Sequence, residues 1–215
     1  MAVSLVLNIE AGAELSIADG DEANESVYEI VQPLDNVPHL ALESHFEFGH
    51  RVGLWRVLDL FDQYGVKVTL NMASRSLERS PWIGQEALSR GHEICCHGYR
   101  WEHLAYRSED EERAAMTTAV QVIQTITGSP PMGWHTKAPP TPRTRRLLQE
   151  QGCFLYDSDA YNDELPYTIL VNEQPHIVLP YSFDTNDMRF TGSETFRLAQ
   201  DFSTYLIDSF NWLWH

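Results

Sequence analysis

The chain has 215 residues, 43% of them hydrophobic, which suits one domain with its own core, and no low-complexity tract or internal repeat suggests an array. Its 31 acidic and 15 basic residues give a formal charge of -16, which argues against nucleic acid or anionic membrane partners, because lysine and arginine would have to neutralise phosphate. Small neutral or cationic substrates fit such a surface better.

The opening MAVSLVLNIEAG has no basic n-region, and its apolar run is too short for a secretory signal or a membrane span. Residues 4–9 read as the first strand, which delivers Asn8 and Glu10 at its end. Residues 18–25 are acidic and turn-rich and read as a solvated loop. Residues 32–51, with Pro33, Pro38 and three histidines, read as a long loop of the kind that often carries function. A helix over 51–64 would place Leu54, Leu58, Phe61 and Tyr64 on one stripe and end at Gly65. The strand over 66–70 follows and runs into Asn71.

Residues 93–96 form the next predicted strand and deliver His97. The adjacent pair Cys95 and Cys96 would face opposite sides of it and cannot easily bridge, which points to a reduced, cytoplasmic setting. Ser108 and Glu111 make a capping box, after which Met116, Ala119, Val120, Ile123 and Ile126 run as a stripe to Gly128. Residues 132–134 deliver His135, and Thr141-Pro142 opens a helix that Gly152 closes. Strands over 153–156 and 177–179 deliver Asp157 with Asp159, and Tyr181 with Asp184; a last helix begins near Ser193.

Alternation of strand and helix with short links predicts parallel strands joined by right-handed crossovers. No glycine-rich phosphate loop follows the first strand, so a doubly wound nucleotide-binding sheet is disfavoured. The expected fold is α/β, a distorted (β/α) barrel in one domain over 1–215, with the polar residues after the strands lining a common site. In RGHEICCHGYRWEH, a mononuclear metal site would want a second histidine four residues after His97, and that position holds Trp101.

The tracts NIEAG, EFGHRVGLWR, GHEICCHGYRW, the GW pair at Gly133-Trp134, FLYDSDAYNDELPY and PYSFDTNDMRF occur together in one order. In combination they resemble the polysaccharide-deacetylase (NodB-homology) superfamily, most of all its allantoinase-like branch, near which the cyclic imide hydrolases lie. The resemblance covers nearly the whole chain and implies a barrel of the NodB-homology type. It also implies a final His-bearing strand, whereas the chain stops at FNWLWH, so the barrel is expected to be incomplete. His215 is poorly placed to substitute.

Deacetylases of this superfamily hold a divalent metal with one aspartate and the two histidines of an H-x-x-x-H motif, beside a catalytic aspartate. Carried over, the catalytic aspartate falls on Glu10, the metal-binding aspartate on Ala11, the first histidine on His97 and the second on Trp101. Two of three ligands are absent, so the resemblance implies no metal and no other cofactor. The branch often shows N-Y-E-E-G where this chain has NIEAG, which leaves the substrate open.

The expected function is that of a metal-independent hydrolase opening a C–N bond in a small cyclic amide, ureide or imide. The alternatives are a metal-dependent carbohydrate N-deacetylase and a non-catalytic, barrel-derived binding protein. Glu10 is the expected base, beside the apolar walls of Trp101 and Trp134. His97 would polarise the carbonyl or pass a proton to the leaving nitrogen, with Asp157 or Asp159 setting its tautomer. Arg51 could offer a fork to a ureido group or simply pair with Glu47. Asn8, His135 and Tyr181 would line the pocket, with Trp101 as a flat wall for a planar ring. An incomplete barrel with Phe210, Trp212 and Trp214 in its tail is expected to form a homo-oligomer.

Overall fold

The computed structural model describes residues 3–26, 34–191 and 196–214. Gln32, Pro33, Ser193 and His215, on which parts of the predicted loop, the last helix start and the terminus rest, lie outside them. Seven strands form one sheet: β1 Val6–Ile9, β2 Thr69–Met72, β3 Glu93–Cys96, β4 Gly133–Trp134, β5 Tyr156–Asp157, β6 Tyr167–Val171 and β7 Gln174–Val178. Their order is β1-β2-β3-β4-β5-β7-β6, and every neighbouring pair except β6–β7 is parallel. Strands adjacent in space in the order of the chain are wound in one direction, as in a barrel, and not outward from a central switch point. Among the described residues β1 and β6 remain edges, so the sheet is not closed.

The β6–β7 hairpin departs from the predicted alternation, since a strand stands where a crossover helix was expected between β5 and β7. Its two-residue turn is Asn172-Glu173, with φ of 47° and 63°, the left-handed pair that a type I′ turn demands. Glutamate is an unusual residue there, so the local turn signal was weak.

The first helices also differ from expectation. α1 Leu40–Phe48 runs through a π turn at Gly49–Gly53 into α2 Leu54–Gln63, so most of the predicted loop over 32–51 is helical. His39 starts α1 with its Nδ1 accepting the Leu42 N–H, in place of the usual hydroxyl or carboxylate cap. α2 buries Leu54 and Leu58, but Tyr64 lies beyond its end and is 71% exposed, so it is no part of the stripe. Further along lie α3 Ser74–Arg79, α4 Trp82–Ser89, α5 Glu109–Thr127, α6 Thr144–Gln151 and α7 Ala199–Trp214.

The Ser108–Glu111 capping box and the left-handed Gly128 bound α5 as predicted. α6 begins at Thr144 and not at Pro142, although Thr141 Oγ1 accepts the Arg143 N–H; the Thr141 and Thr144 hydroxyls both donate to the buried Glu112 carboxylate of α5. The acidic loop after β1 is likewise anchored: Asp21 takes both terminal nitrogens of Arg100, and Asp19 pairs with Arg79.

Register decides what the sheet offers to each side. Ile9, Met72, Cys96, Trp134, Asp157 and Val178 align across six strands. Ile9, Met72, Cys96 and Trp134 join Leu58, Met116 and Leu147 in the core under the helices. Strand side chains alternate, so Asn8 and Asn71, one position earlier, face the opposite side. So do Glu10, Ala73, His97 and His135, one position later, where the parallel ladder continues through Ala73 N–H to Ile9 O, His97 N–H to Met72 O and His135 N–H to Cys96 O. Cys95 and Cys96 are free and buried. Among the described residues no helix is long and apolar enough to cross a membrane.

Candidate active site

β1 and β3 are two strands apart, so the backbones bearing Glu10 and His97 stand about 10 Å from each other. The residue between them on β2's end is Ala73, whose methyl leaves room for the side chains to meet above it. Glu10 Oε1 lies 3.1 Å from His97 Nε2. The other ring nitrogen, Nδ1, lies 2.5 Å from the His135 carbonyl oxygen, which can only accept, so Nδ1 carries a proton. A hydrogen bond across the 3.1 Å contact then needs a proton on Nε2 or on Glu10.

The row below supplies the support. Asn71 Nδ2 is 3.0 Å from Asn8 Oδ1 and 2.9 Å from His135 Nδ1, so the amide donates to both. His135 therefore holds its proton on Nε2, directed toward the Tyr161 hydroxyl 3.4 Å away. Burial, reinforced by the neighbouring His97, pulls the His135 pKa down from 6.5 to about 3, so this imidazole is neutral at ordinary pH. The Tyr181 ring stacks at a tilt on His135, centroids 4.5 Å apart, and burial raises its phenol.

Trp101 is linked to the base through Lys137. Phe46 meets its ring edge-on at 5.5 Å, and the Lys137 ammonium sits 4.2 Å from the ring centroid. The same ammonium is 3.8 Å from Glu10 Oε2. The arrangement thus groups a carboxylate–imidazole pair with a cation, a flat indole and a neutral imidazole backed by a phenol.

Several predicted site residues lie elsewhere, and the two-residue strand period explains two of them. Trp134 is in the core under the helices, its Nε1 donating to Thr136 Oγ1. Asp157 shares that row and faces α6, where it takes Arg145 Nε at 2.8 Å and His176 Nε2 at 2.7 Å. Asp159 accepts the N–H and hydroxyl of Thr136. Neither aspartate touches His97, whose tautomer the His135 carbonyl sets instead. Glu47 and Arg51 make the plain i,i+4 pair, 3.4 Å apart and exposed, on the wall of a cavity of about 570 Å³ that Ala11 and Gly12 also line.

Sequence reasoning missed Lys137, Tyr161 and Phe46. Asn71, expected just after a strand end, lies inside β2. Lys137 had a signal, being one of two lysines in a strongly acidic chain and two residues after His135.

The residues present do not fit the metal that the resemblance brings to mind. Ala11 offers a methyl, Trp101 an indole, and both nitrogens of His97 are engaged with Glu10 and the His135 carbonyl. Among the described residues no group of three His, Cys, Asp or Glu side chains could hold an ion.

Known proteins share this architecture. The polysaccharide deacetylase family matches residues 38–151. A Schizosaccharomyces pombe protein, provisionally named a polysaccharide deacetylase, is 30% identical over all of this chain and 73% of its own length. The crystal structure of Puue allantoinase is 40% identical with a TM-score of 0.91, covering 98% of this chain and 71% of that one. A Pseudomonas aeruginosa PAO1 structure, again provisionally named a polysaccharide deacetylase, is 42% identical with the same TM-score and the same coverage. With the family matched over more than half its residues and a relative aligned along its whole length, the chain belongs to the polysaccharide deacetylase family.

Proposed function

We propose that this hydrolase of the polysaccharide deacetylase family opens a C–N bond in a small cyclic amide, ureide or imide, without a metal ion. The observation that carries the reading is the 3.1 Å contact between Glu10 and His97, in a site whose metal-donor positions hold Ala11 and Trp101. The 40% identity to Puue allantoinase supports the substrate class.

The chemistry follows from which groups water can reach. The Glu10 side chain is 19% exposed and that of His97 only 3%, so the carboxylate faces an incoming water while the imidazole backs it. Water attacks the ring carbonyl as its proton passes to the Glu10–His97 pair, and the same pair returns a proton to the nitrogen when the C–N bond breaks. The His135 carbonyl keeps His97 Nδ1 protonated throughout, so the proton in transit is the one between Nε2 and Glu10. The indole of Trp101, beside Lys137, and the phenol ring of Tyr181, on His135, are planar aromatic faces that suit a flat ring better than a sugar chain. The three free cysteines fit a reducing, cytoplasmic compartment.

A turnover screen of hydantoins, dihydropyrimidines, allantoin and simple imides tests the proposal. Glu10→Gln should abolish ring opening with folding intact, and a chelator should leave wild-type turnover unchanged. Loss of activity on chelation, or acetate release from an acetylated amino sugar by a zinc-loaded protein, rejects it.

A further inference from the structure

We infer that Lys137 supplies the oxyanion-stabilising charge of this site, donating a hydrogen bond to the substrate carbonyl oxygen as the tetrahedral intermediate forms. The inference rests on the hydrolase reading above and names a group that neither the fold nor the family match assigns.

The geometry leaves the ammonium positioned but uncommitted. Its nitrogen is 3.8 Å from Glu10 Oε2, beyond hydrogen-bond length, and 4.2 Å from the Trp101 centroid. The carboxylate and the ring face hold the cation electrostatically, and neither takes one of its three N–H bonds in the short geometry that would saturate it. With a 27% exposed side chain, it can present a proton to a ligand beside Glu10. Among the described residues no other carboxylate pairs with it.

The backbone behind it is fixed. Thr136 gives its N–H and hydroxyl to Asp159 at 2.7 and 2.6 Å and accepts Trp134 Nε1–H at 2.8 Å. The His135 carbonyl is tied to His97. The segment that carries the cation is thus anchored to the same imidazole that handles the proton, and a donor preorganised in this way needs no rearrangement as charge develops. Where Ala11 and Trp101 remove metal donors, Lys137 is the one lysine or arginine paired with the base among the described residues.

The electrons balance without an added reagent. Water oxygen bonds to the carbonyl carbon, its proton goes to the Glu10–His97 pair, and the carbonyl π pair moves onto oxygen, where Lys137 Nζ–H donates to it. As the carbonyl re-forms, the C–N bond breaks and the nitrogen takes the proton from the pair. Lys137 keeps all its protons.

The test compares Lys137→Met, Lys137→Arg and Lys137→Cys on a cyclic amide that the wild type opens. Removing one oxyanion donor costs about 10²- to 10³-fold in kcat, so Lys137→Met should fall by that factor with KM within about threefold, while Lys137→Arg keeps more of the rate. Alkylating Lys137→Cys with 2-bromoethylamine restores an ammonium at the original length and should recover at least about tenfold, with alkylated Lys137→Met as the control for other thiols. The pH–rate profile separates the other role open to this lysine. If Lys137→Met reaches the wild-type plateau at higher pH, the lysine only keeps Glu10 ionised and the inference is overturned. It is equally overturned by an unchanged kcat, or by no recovery after complete alkylation. A wild type that opens no cyclic amide removes the functional reading and this inference together, whereas an active wild type with an equally active Lys137→Met removes only the latter.

Discussion

Asp159 offers a way to measure how strongly the site's supporting loop is held. Its carboxylate is buried and accepts both polar hydrogens of Thr136. Burial, with a further push from Asp157, outweighs those hydrogen bonds and raises its pKa from 3.8 to about 6. A carboxyl raised in the folded state binds its proton more tightly folded than unfolded. The fold is therefore disfavoured by this group above pH 6 and relieved as pH falls, until the unfolded chain protonates too near 3.8. At about 1.4 kcal/mol per unit the whole span is worth ~3 kcal/mol, of which ~1 kcal/mol falls between about pH 7 and pH 5. Asp159→Asn keeps an acceptor for the Thr136 N–H and cannot ionise. Urea unfolding followed by tryptophan fluorescence should show the variant gaining ~1 kcal/mol on wild type between about pH 5 and pH 7. Contributions from titrating groups that do not interact with Asp159 cancel in the difference. A difference that does not change with pH would refute the argument that burial dominates at this carboxyl.

His135 behaves in the opposite sense. With its pKa pulled down to about 3, it contributes stability that is present above its ordinary 6.5 and lost as pH falls through that window, and ¹⁵N spectra should show an unchanging Nε2–H tautomer between about pH 5 and 8. Titration of its ring within that range would contradict the Asn71 contact. Glu112, fully buried on α5, takes Thr141, Thr144 and Arg143 Nε; Glu112→Ala should cost about 3–5 kcal/mol in urea unfolding, and a loss under about 1 kcal/mol would show the cluster to be slack. α7 exposes Ile207, Phe210, Leu213 and Trp214, with Trp212 84% exposed, and buries none of its residues among those described. A dimer or larger particle is expected by light scattering, and a monodisperse monomer would refute it.

How much of this was legible depends on whether a feature is local. β3 was placed to the residue because a short apolar run is bounded by Gly91 on one side and the His97-Gly98 turn on the other. Glu10, His97 and His135 were legible as site candidates because each directly follows a strand, and parallel strands in sequential order bring those ends to one edge. The β6–β7 hairpin was not legible, since Asn172-Glu173 adopts its left-handed turn under the pull of strand pairing and without a glycine.

Amino-acid order alone determined the strand–helix rhythm, the helix caps at Ser108 and Gly128, and the three polar strand ends that could share a site, all of which depend on neighbours a few residues apart. Which of the strand-end residues look into that site was decided only in three dimensions. Trp134 and Asp157 also end strands, yet the alignment of Ile9, Met72, Cys96, Trp134, Asp157 and Val178 turns them toward the helices. Side chains alternate every residue, so a shift of one position in register exchanges the faces, and register is set by packing between segments far apart in the chain. For the same reason Lys137, carried in by the loop after β4, meets Glu10 only once the sheet has assembled.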